Sequence, residues 1–203
     1  KRIIVEFKEP KIVKHLVEDG RTIGRLELDC KVLKYSDSET GEDLAILIVR
    51  KKNFLTSSIK FYLDKESPQL GAELYHMGSL MGDFGNNSLT TGIISQFGRI
   101  INGKEMDQTT VVSYPGSSGG SVTLKDGRCV GILTRGAVGG FNLIVPVRRI
   151  VKWTKSINME WAINETVPLP SEEEIDKIPI EDVGRIFSNN SNLNNTESSS
   201  LKK

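Results

Sequence analysis

Hydrophobic and polar residues alternate along most of this chain in short segments of the length typical of β-strands. Clusters of turn-forming residues separate the segments, at residues 18–20 (Glu-Asp-Gly), 82–88 and 125–127 (Lys-Asp-Gly) among others. Short strands punctuated by such turns are the pattern of a β-barrel or β-sandwich. The sequence therefore predicts an all-β fold.

One helical pattern follows Pro146. Val147, Ile150, Val151 and Thr154 recur at the spacing of an α-helix, and basic residues lie between them. Proline is favoured at a helix start, because its fixed φ suits the first turn and its missing N–H is not needed there. The pattern predicts one amphipathic helix over residues 147–156.

The most specific motif is the stretch Pro-Gly-Ser-Ser-Gly-Gly-Ser at residues 115–121. Glycine and serine clusters are common in flexible connectors, which is one interpretation of this stretch. Its flanks favour another, because residues 109–114 are rich in β-formers and residues 121–124 alternate like a half-buried strand. A tight turn between two strands can present a nucleophilic hydroxyl, here that of Ser118.

If Ser118 is a nucleophile, each small residue of this motif has a physical role. A hydrolase with a serine nucleophile must stabilise the oxyanion formed by attack, and main-chain amides can do so. The amides of Gly116 and Ser118 can point at one spot if residue 116 adopts dihedral angles that disfavour a Cβ atom. Gly119 and Gly120 would keep side chains away from the substrate.

Three further segments carry a resemblance to a known family. They are residues 89–99 (Leu-Thr-Thr-Gly-Ile-Ile-Ser-Gln-Phe-Gly-Arg), residues 129–133 (Cys-Val-Gly-Ile-Leu) and residues 142–146 (Asn-Leu-Ile-Val-Pro). Together with the serine motif, their order and spacing resemble the chymotrypsin-fold, trypsin-like serine proteases and, within them, the HtrA-like branch.

The resemblance implies two antiparallel β-barrels of the six-stranded type, the first of them incomplete, followed by a short helix. It implies a serine endopeptidase acting on protein or peptide substrates in the cleft between the barrels, with no metal or organic cofactor. The expected division is a partial first barrel at 1–80, a second barrel with its closing helix at 81–165, and a mostly disordered polar tail at 166–203. A catalytically inactive protease-fold module that binds peptides or proteins is the alternative function.

An acid, Asp43, precedes the continuous apolar run at residues 44–49, which is typical of a buried strand. By the resemblance, Asp43 orients the catalytic histidine, since a carboxylate is needed to fix the imidazole tautomer and stabilise the imidazolium. The alternative is that Asp43 only closes the polar turn at residues 36–41, because turns collect acidic residues for local reasons.

The general base is the open question, because the chain has two histidines and neither matches the family pattern well. His15 follows a long cation, Lys14, where the family has small residues, and His76 comes after the acid in chain order. Three accounts stay open: the catalytic histidine precedes Lys1 in a longer protein, His15 is the base, or the protein has no base.

By the family pattern, the base of the primary specificity pocket lies about six residues before the nucleophile, at Val112, with residues 140–142 as one wall. No acidic residue occupies these positions. A buried cation without a counter-charge is unfavourable. The pocket is therefore expected to prefer small or medium aliphatic side chains over Lys or Arg.

Composition narrows the remaining choices. The 203 residues are 37% hydrophobic and 26% charged with a net charge of +1, which suits one soluble globular unit with a tail and does not indicate a nucleic-acid partner. The longest apolar run, residues 44–49, is far shorter than the roughly 20 residues of a transmembrane helix. No signal peptide is visible. Cys30 and Cys129 have no metal-binding spacing and are interpreted as small buried hydrophobic residues.

Overall fold

The computed structural model describes residues 2–4, 9–49, 57–81, 85–137, 140–181 and 186–188. Strands dominate these ranges, which confirms the all-β class. The strands are β1 (Arg2–Ile4), β2 (Lys11–Glu18), β3 (Arg21–Asp29), β4 (Lys31–Ser36), β5 (Leu44–Ile48), β6 (Glu73–Leu80), β7 (Gly85–Ile101), β8 (Lys104–Thr109), β9 (Ser121–Leu124), β10 (Cys129–Ala137), β11 (Phe141–Pro146) and β12 (Ile186–Ser188). The helices are α1 (Val147–Ser156), α2 (Glu172–Asp176) and a 3-10 turn at Glu160–Ala162.

The chain divides into two compact units. The first comprises Lys1–Lys34, Ile46–Arg50 and Pro179–Lys203, and the second comprises Tyr35–Ala45 and Lys51–Ile178. In the first unit, β2 and β3 form an antiparallel hairpin in which Lys11 lies opposite Asp29, and β1 pairs with β12. β4 pairs with β5 in a further two-stranded sheet.

The second unit is built around a closed six-stranded barrel in the order β10-β11-β8-β7-β6-β9. Alternate residues of each strand point inward, because successive side chains of a strand face opposite sides. Most of the buried residues are apolar, and burial of such surface is the main driving force for folding. The apolar core of the barrel comprises Leu74, Ile94, Val122, Val130, Leu133 and Ile144 from the strands, and Val111 from the segment that follows β8.

Helix α1 has the bounds predicted from the sequence and follows the last barrel strand directly. Its buried residues are Arg149, Ile150, Trp153 and Thr154. An arginine on the buried face of a helix is unusual, because a charged side chain is rarely buried without a partner.

Two strand predictions need correction. The β-formers at residues 109–114 do not continue as a strand, because β8 ends at Thr109 and only the Thr110 amide, which donates to Ile93 O at 3.0 Å, still bonds to β7. The carbonyl oxygen of Val111 instead accepts a hydrogen bond from the side-chain amide of Asn142. The apolar run at 44–49 is not fully buried either, since β5 alternates between half-buried and exposed positions and Leu47 is 44% exposed.

The part of the chain expected to be a polar tail contains ordered elements up to Glu181. Ser171 and Glu174 form a capping box at the start of α2, in which the Glu174 carboxylate accepts from the Ser171 amide at 2.8 Å. The Glu181 amide donates to the carbonyl oxygen of Val32 at 2.9 Å. Residues 189–203, the most polar part of that segment, lie outside the described residues. The barrel includes β6, so it begins before residue 81.

Candidate active site

The stretch at residues 115–121 is a hydrogen-bonded turn between β8 and β9. Main-chain hydrogen bonds hold it at both sides: Met81 N to Pro115 O (2.8 Å), Ser117 N to Tyr114 O (2.9 Å), Gly120 N to Ser117 O (3.1 Å), Gly119 N to Leu133 O (2.7 Å) and Leu133 N to Gly120 O (2.9 Å). A flexible connector has no such anchoring to neighbouring strands. The turn therefore presents its side chains in a defined orientation.

Ser118 is exposed at the tip of this turn, and its Oγ donates to the carbonyl oxygen of Thr134 at 3.2 Å. Gly116 adopts φ +98°, in the region that favours glycine. Within the described ranges, no acceptor is found for the amide of Gly116 or of Ser118. Both donors are thus available to a ligand, as an oxyanion hole requires.

A cavity of about 460 Å³ lies beside the turn. Its lining brings Ser118 together with Val112 and with Gly140 and Asn142 of the wall expected from the sequence. The lining residues are Val112, Ser113, Tyr114, Pro115, Ser117, Ser118, Leu133, Gly136, Gly140 and Asn142. None of these described residues has a charged side chain.

The role of Asn142 was missed in the sequence, beyond its place in the wall. Its side chain is buried, its Nδ2 donates to Val111 O at 2.5 Å, and its Oδ1 accepts from Ser113 Oγ at 2.6 Å. The amide thereby ties β11 to the segment that carries Val112. A lone polar residue within the apolar strand Phe-Asn-Leu-Ile-Val-Pro was the available signal.

Asp43 lies at the end of a tightly bonded turn and adopts φ +59°. Its amide donates to Asp37 O at 3.2 Å, and the Asp37 carboxylate accepts from the amides of Glu39 and Thr40 at 2.8 Å each. These local bonds match the turn-closing interpretation. Among the described residues, the Asp43 carboxylate makes no hydrogen bond to Ser118 or His76.

The two histidines have different surroundings. His15 lies on β2 opposite Arg25 of β3. His76 lies on β6, is fully buried, and has its Nδ1 3.1 Å from Ser121 O. Burial holds the pKa of His76 below its ordinary value, while the hydrogen bond to Ser121 opposes this shift. His76 Nε2 has no hydrogen-bond partner among the described residues.

Both cysteines are buried and free, as expected from their interpretation as small hydrophobic residues. Burial raises the pKa of the Cys129 thiol to about 11, which makes it a poor nucleophile. The candidate chemistry therefore rests on the serine turn.

A barrel, a kinked glycine-serine turn and an adjoining pocket define the class of trypsin-like peptidases. A family model described as "Trypsin-like peptidase domain" matches residues 11–132, which include Asp43 and Ser118. The chain belongs to this family. A comparison with curated protein sequences gave no match.

Solved structures with a similar fold include two bacterial proteases. A serine endoprotease from Yersinia pestis is 20% identical with a TM-score of 0.56, over 76% of this chain and 56% of that one. The HtrA-type protease AlgW, solved with a decapeptide, is 23% identical with a TM-score of 0.56, over 76% of this chain and 50% of that one. The chain thus spans about half the length of these relatives. Within the described ranges, no helix is long and apolar enough to cross a lipid bilayer.

Proposed function

We propose that this chain is a serine endopeptidase with Ser118 as the nucleophile. The observation that carries the proposal is the exposed Ser118 hydroxyl on a hydrogen-bonded turn, next to Gly116 at φ +98° and beside a pocket. The family match supports the same class of chemistry.

In this mechanism, Ser118 Oγ attacks the carbonyl carbon of the scissile peptide bond, and a general base takes the hydroxyl proton. The amides of Gly116 and Ser118 bind the oxyanion of the tetrahedral intermediate. The base then gives the proton to the leaving amine, and water hydrolyses the acyl-enzyme by the reverse roles. Asp43 orients the base and stabilises its cationic form.

The base is a histidine other than His76 in this proposal. His76 is sealed from solvent, and its Nδ1 is held by the carbonyl oxygen of Ser121, which can only accept a hydrogen bond. His15 and a histidine outside this sequence are the two candidates. Replacing His15 with Ala in the full-length protein separates the two candidates, since activity must be lost only if His15 is the base.

The pocket is proposed to receive the side chain on the acyl side of the cleaved bond. Val112, Gly136 and Gly140 leave space on its walls, and its lining is uncharged. A cationic substrate side chain would lose hydration there without gaining a counter-charge. Cleavage of a peptide library is expected to show small or medium aliphatic residues at this position, and a dominant basic preference would refute the pocket assignment.

Labelling of the full-length protein with a fluorophosphonate tests the function. The wild type is expected to react at Ser118, and Ser118→Ala is expected not to react. Ser121→Ala is a suitable control, because it removes a nearby hydroxyl that does not line the pocket. A label mapped to any other residue would contradict the assignment.

A peptide-binding module without activity is the second candidate. It is favoured by one observation, the burial of the only histidine in the unit that carries Ser118. Such a module would bind peptides in the same pocket, yet the folded wild type would remain unlabelled.

A further inference from the structure

Arg149 lies on the buried face of helix α1, and its guanidinium hydrogen-bonds to the turn that carries Asp43. Its side chain is 8% exposed. Nε and Nη2 donate to the Glu42 carboxylate at 3.0 and 2.5 Å, and Nη2 also donates to the main-chain oxygen of Glu42 at 3.1 Å. Nη1 donates to Glu105 O of β8 at 3.0 Å. All three nitrogens are therefore engaged.

The main-chain contact matters most, because Glu42 immediately precedes Asp43. The carbonyl of Glu42 and the amide of Asp43 belong to one planar peptide group. Arg149 holds the oxygen of this group, and Asp37 O accepts from its N–H at 3.2 Å. Hydrogen bonds thus hold both the oxygen and the N–H of the peptide group that precedes Asp43.

Asp43 needs such fixation, because its φ of +59° lies in the left-handed region. Aspartate adopts this region more readily than most residues with a Cβ atom but still at a cost, so the conformation persists best where the surroundings support it. Without the guanidinium, the Glu42–Asp43 peptide group would retain one of its two anchors and could rotate. Rotation would redirect the Asp43 side chain.

We infer that Arg149 is a positioning residue for Asp43, through which helix α1 and β8 set the direction of the catalytic carboxylate. This inference rests on the proposed function for its catalytic consequence. No step of the reaction passes through Arg149 itself. The contact between Arg149 and Glu42 joins helix α1 to the acid turn, residues 36–43, across a long separation in the sequence.

The test compares Arg149→Gln with Arg148→Gln in the full-length protein. Arg148 is the matched control, because it is adjacent on α1 and binds Glu105 and Asp107 at 2.7 and 2.6 Å without contacting the acid turn. Arg149→Gln is expected to lower kcat roughly 10- to 100-fold with KM little changed, since small misplacements of catalytic groups have effects of this size. Arg148→Gln is expected to lower the thermal unfolding temperature without this loss of kcat.

Two milder variants keep the comparison interpretable if Arg149→Gln folds poorly. Arg149→Lys retains the charge but lacks the planar fork that reaches carboxylate and carbonyl together, so an intermediate kcat is expected. Glu42→Gln retains the main-chain acceptor and is expected to have a smaller effect than Arg149→Gln. Equal activity of all these variants and the wild type would overturn the inference.

Amide hydrogen exchange tests, independently of catalysis, whether Arg149 holds the Glu42–Asp43 peptide group in place. In the Ser118→Ala background, Arg149→Gln is expected to speed exchange at the Asp43 amide, whereas Arg148→Gln is not. Unchanged exchange at Asp43 in folded Arg149→Gln protein would refute the positioning role. A wild type that neither hydrolyses peptides nor reacts with fluorophosphonate would refute the proposed function, and the exchange comparison would still decide whether Arg149 holds Asp43.

Discussion

His76 donates its Nδ1 proton to the carbonyl oxygen of Ser121, 3.1 Å away, and its ring fills the space beneath the serine turn. The donor must be the ring, because a carbonyl oxygen has no proton to give. A Cβ atom at Gly120 would lie 2.4 Å from His76 Cε1, so the turn rests closely on the imidazole. Stability of the turn and protonation of this ring are therefore linked.

Acidification is expected to destabilise the protein through His76. Burial lowers the pKa of His76 in the folded state, so the unfolded chain binds more protons once the pH falls below the unfolded value of about 6.5. The associated stability is complete above that pH and declines as the pH falls toward the folded pKa, by at most about 1.4 kcal/mol per pH unit. The free energy of unfolding measured from pH 8 to pH 5 checks this slope.

His76→Asn is the informative variant for the pH measurement. Its amide keeps a donor near Ser121 O but does not titrate, so its stability curve is expected to be flatter than that of the wild type below pH 6.5. His15→Gln controls for loss of the other histidine. Parallel wild-type and His76→Asn curves would contradict the linkage.

Gly78→Ala is expected to destabilise the barrel by about 1–3 kcal/mol, because overpacking a filled interior forces neighbours to move. Its Cβ would lie 2.7 Å from His76 Nε2. In a His76→Ala background the nearest remaining atom is Ser117 Cα at 3.5 Å, so the same change should have little effect. Unfolding free energies of the double-mutant cycle measure the difference.

Gly24→Ala is the control for this cycle, since its added Cβ would meet only Leu16 Cδ1 at an ordinary 3.8 Å. It is expected to be nearly neutral. If Gly78→Ala still lowers the free energy of unfolding in the His76→Ala background, the added methyl group does not act through a clash with the imidazole ring.

Local chemistry explains which parts of this molecule were predictable from sequence. The α1 helix and strands such as β9 leave a periodic pattern of apolar residues, and the turn at 115–121 needs glycines for its backbone. These features depend on neighbours in sequence. Their bounds were therefore predicted well.

The features that were missed depend on partners far along the chain. Val111 has strand chemistry, yet it lies outside the strands, and its carbonyl oxygen accepts from the side-chain amide of Asn142, 31 positions later. Glu42 and Arg149 are 107 positions apart, and no local pattern links them.

Gly116→Ala is expected to impair catalysis more than stability. A Cβ atom at φ +98° is strained, and relief of this strain rotates the amide proposed to bind the oxyanion. Loss of one such donor typically lowers kcat about 100- to 1000-fold. Steady-state kinetics with a peptide substrate, beside a thermal unfolding curve, provide the measurement.

Gly127→Ala separates strain from oxyanion binding. Gly127 has a similar φ of +84° in the turn after β9, and nothing lies within 4 Å of its added Cβ. It is expected to lose comparable stability while keeping the wild-type kcat. If both variants retain kcat, the Gly116 amide does not bind the oxyanion.

Val112→Phe is expected to shift cleavage toward smaller side chains. Val112 lines the cavity beside Ser118 and is 46% exposed, so a larger side chain there takes up pocket space with little effect on the core. Because one methylene group in such a pocket changes discrimination by about 10-fold or more, the ratio of kcat/KM for Ala over Leu substrates should rise by at least about 10-fold. Val17→Phe, at an exposed position on β2, should leave this ratio unchanged. A ratio unaffected by Val112→Phe would place the specificity pocket elsewhere.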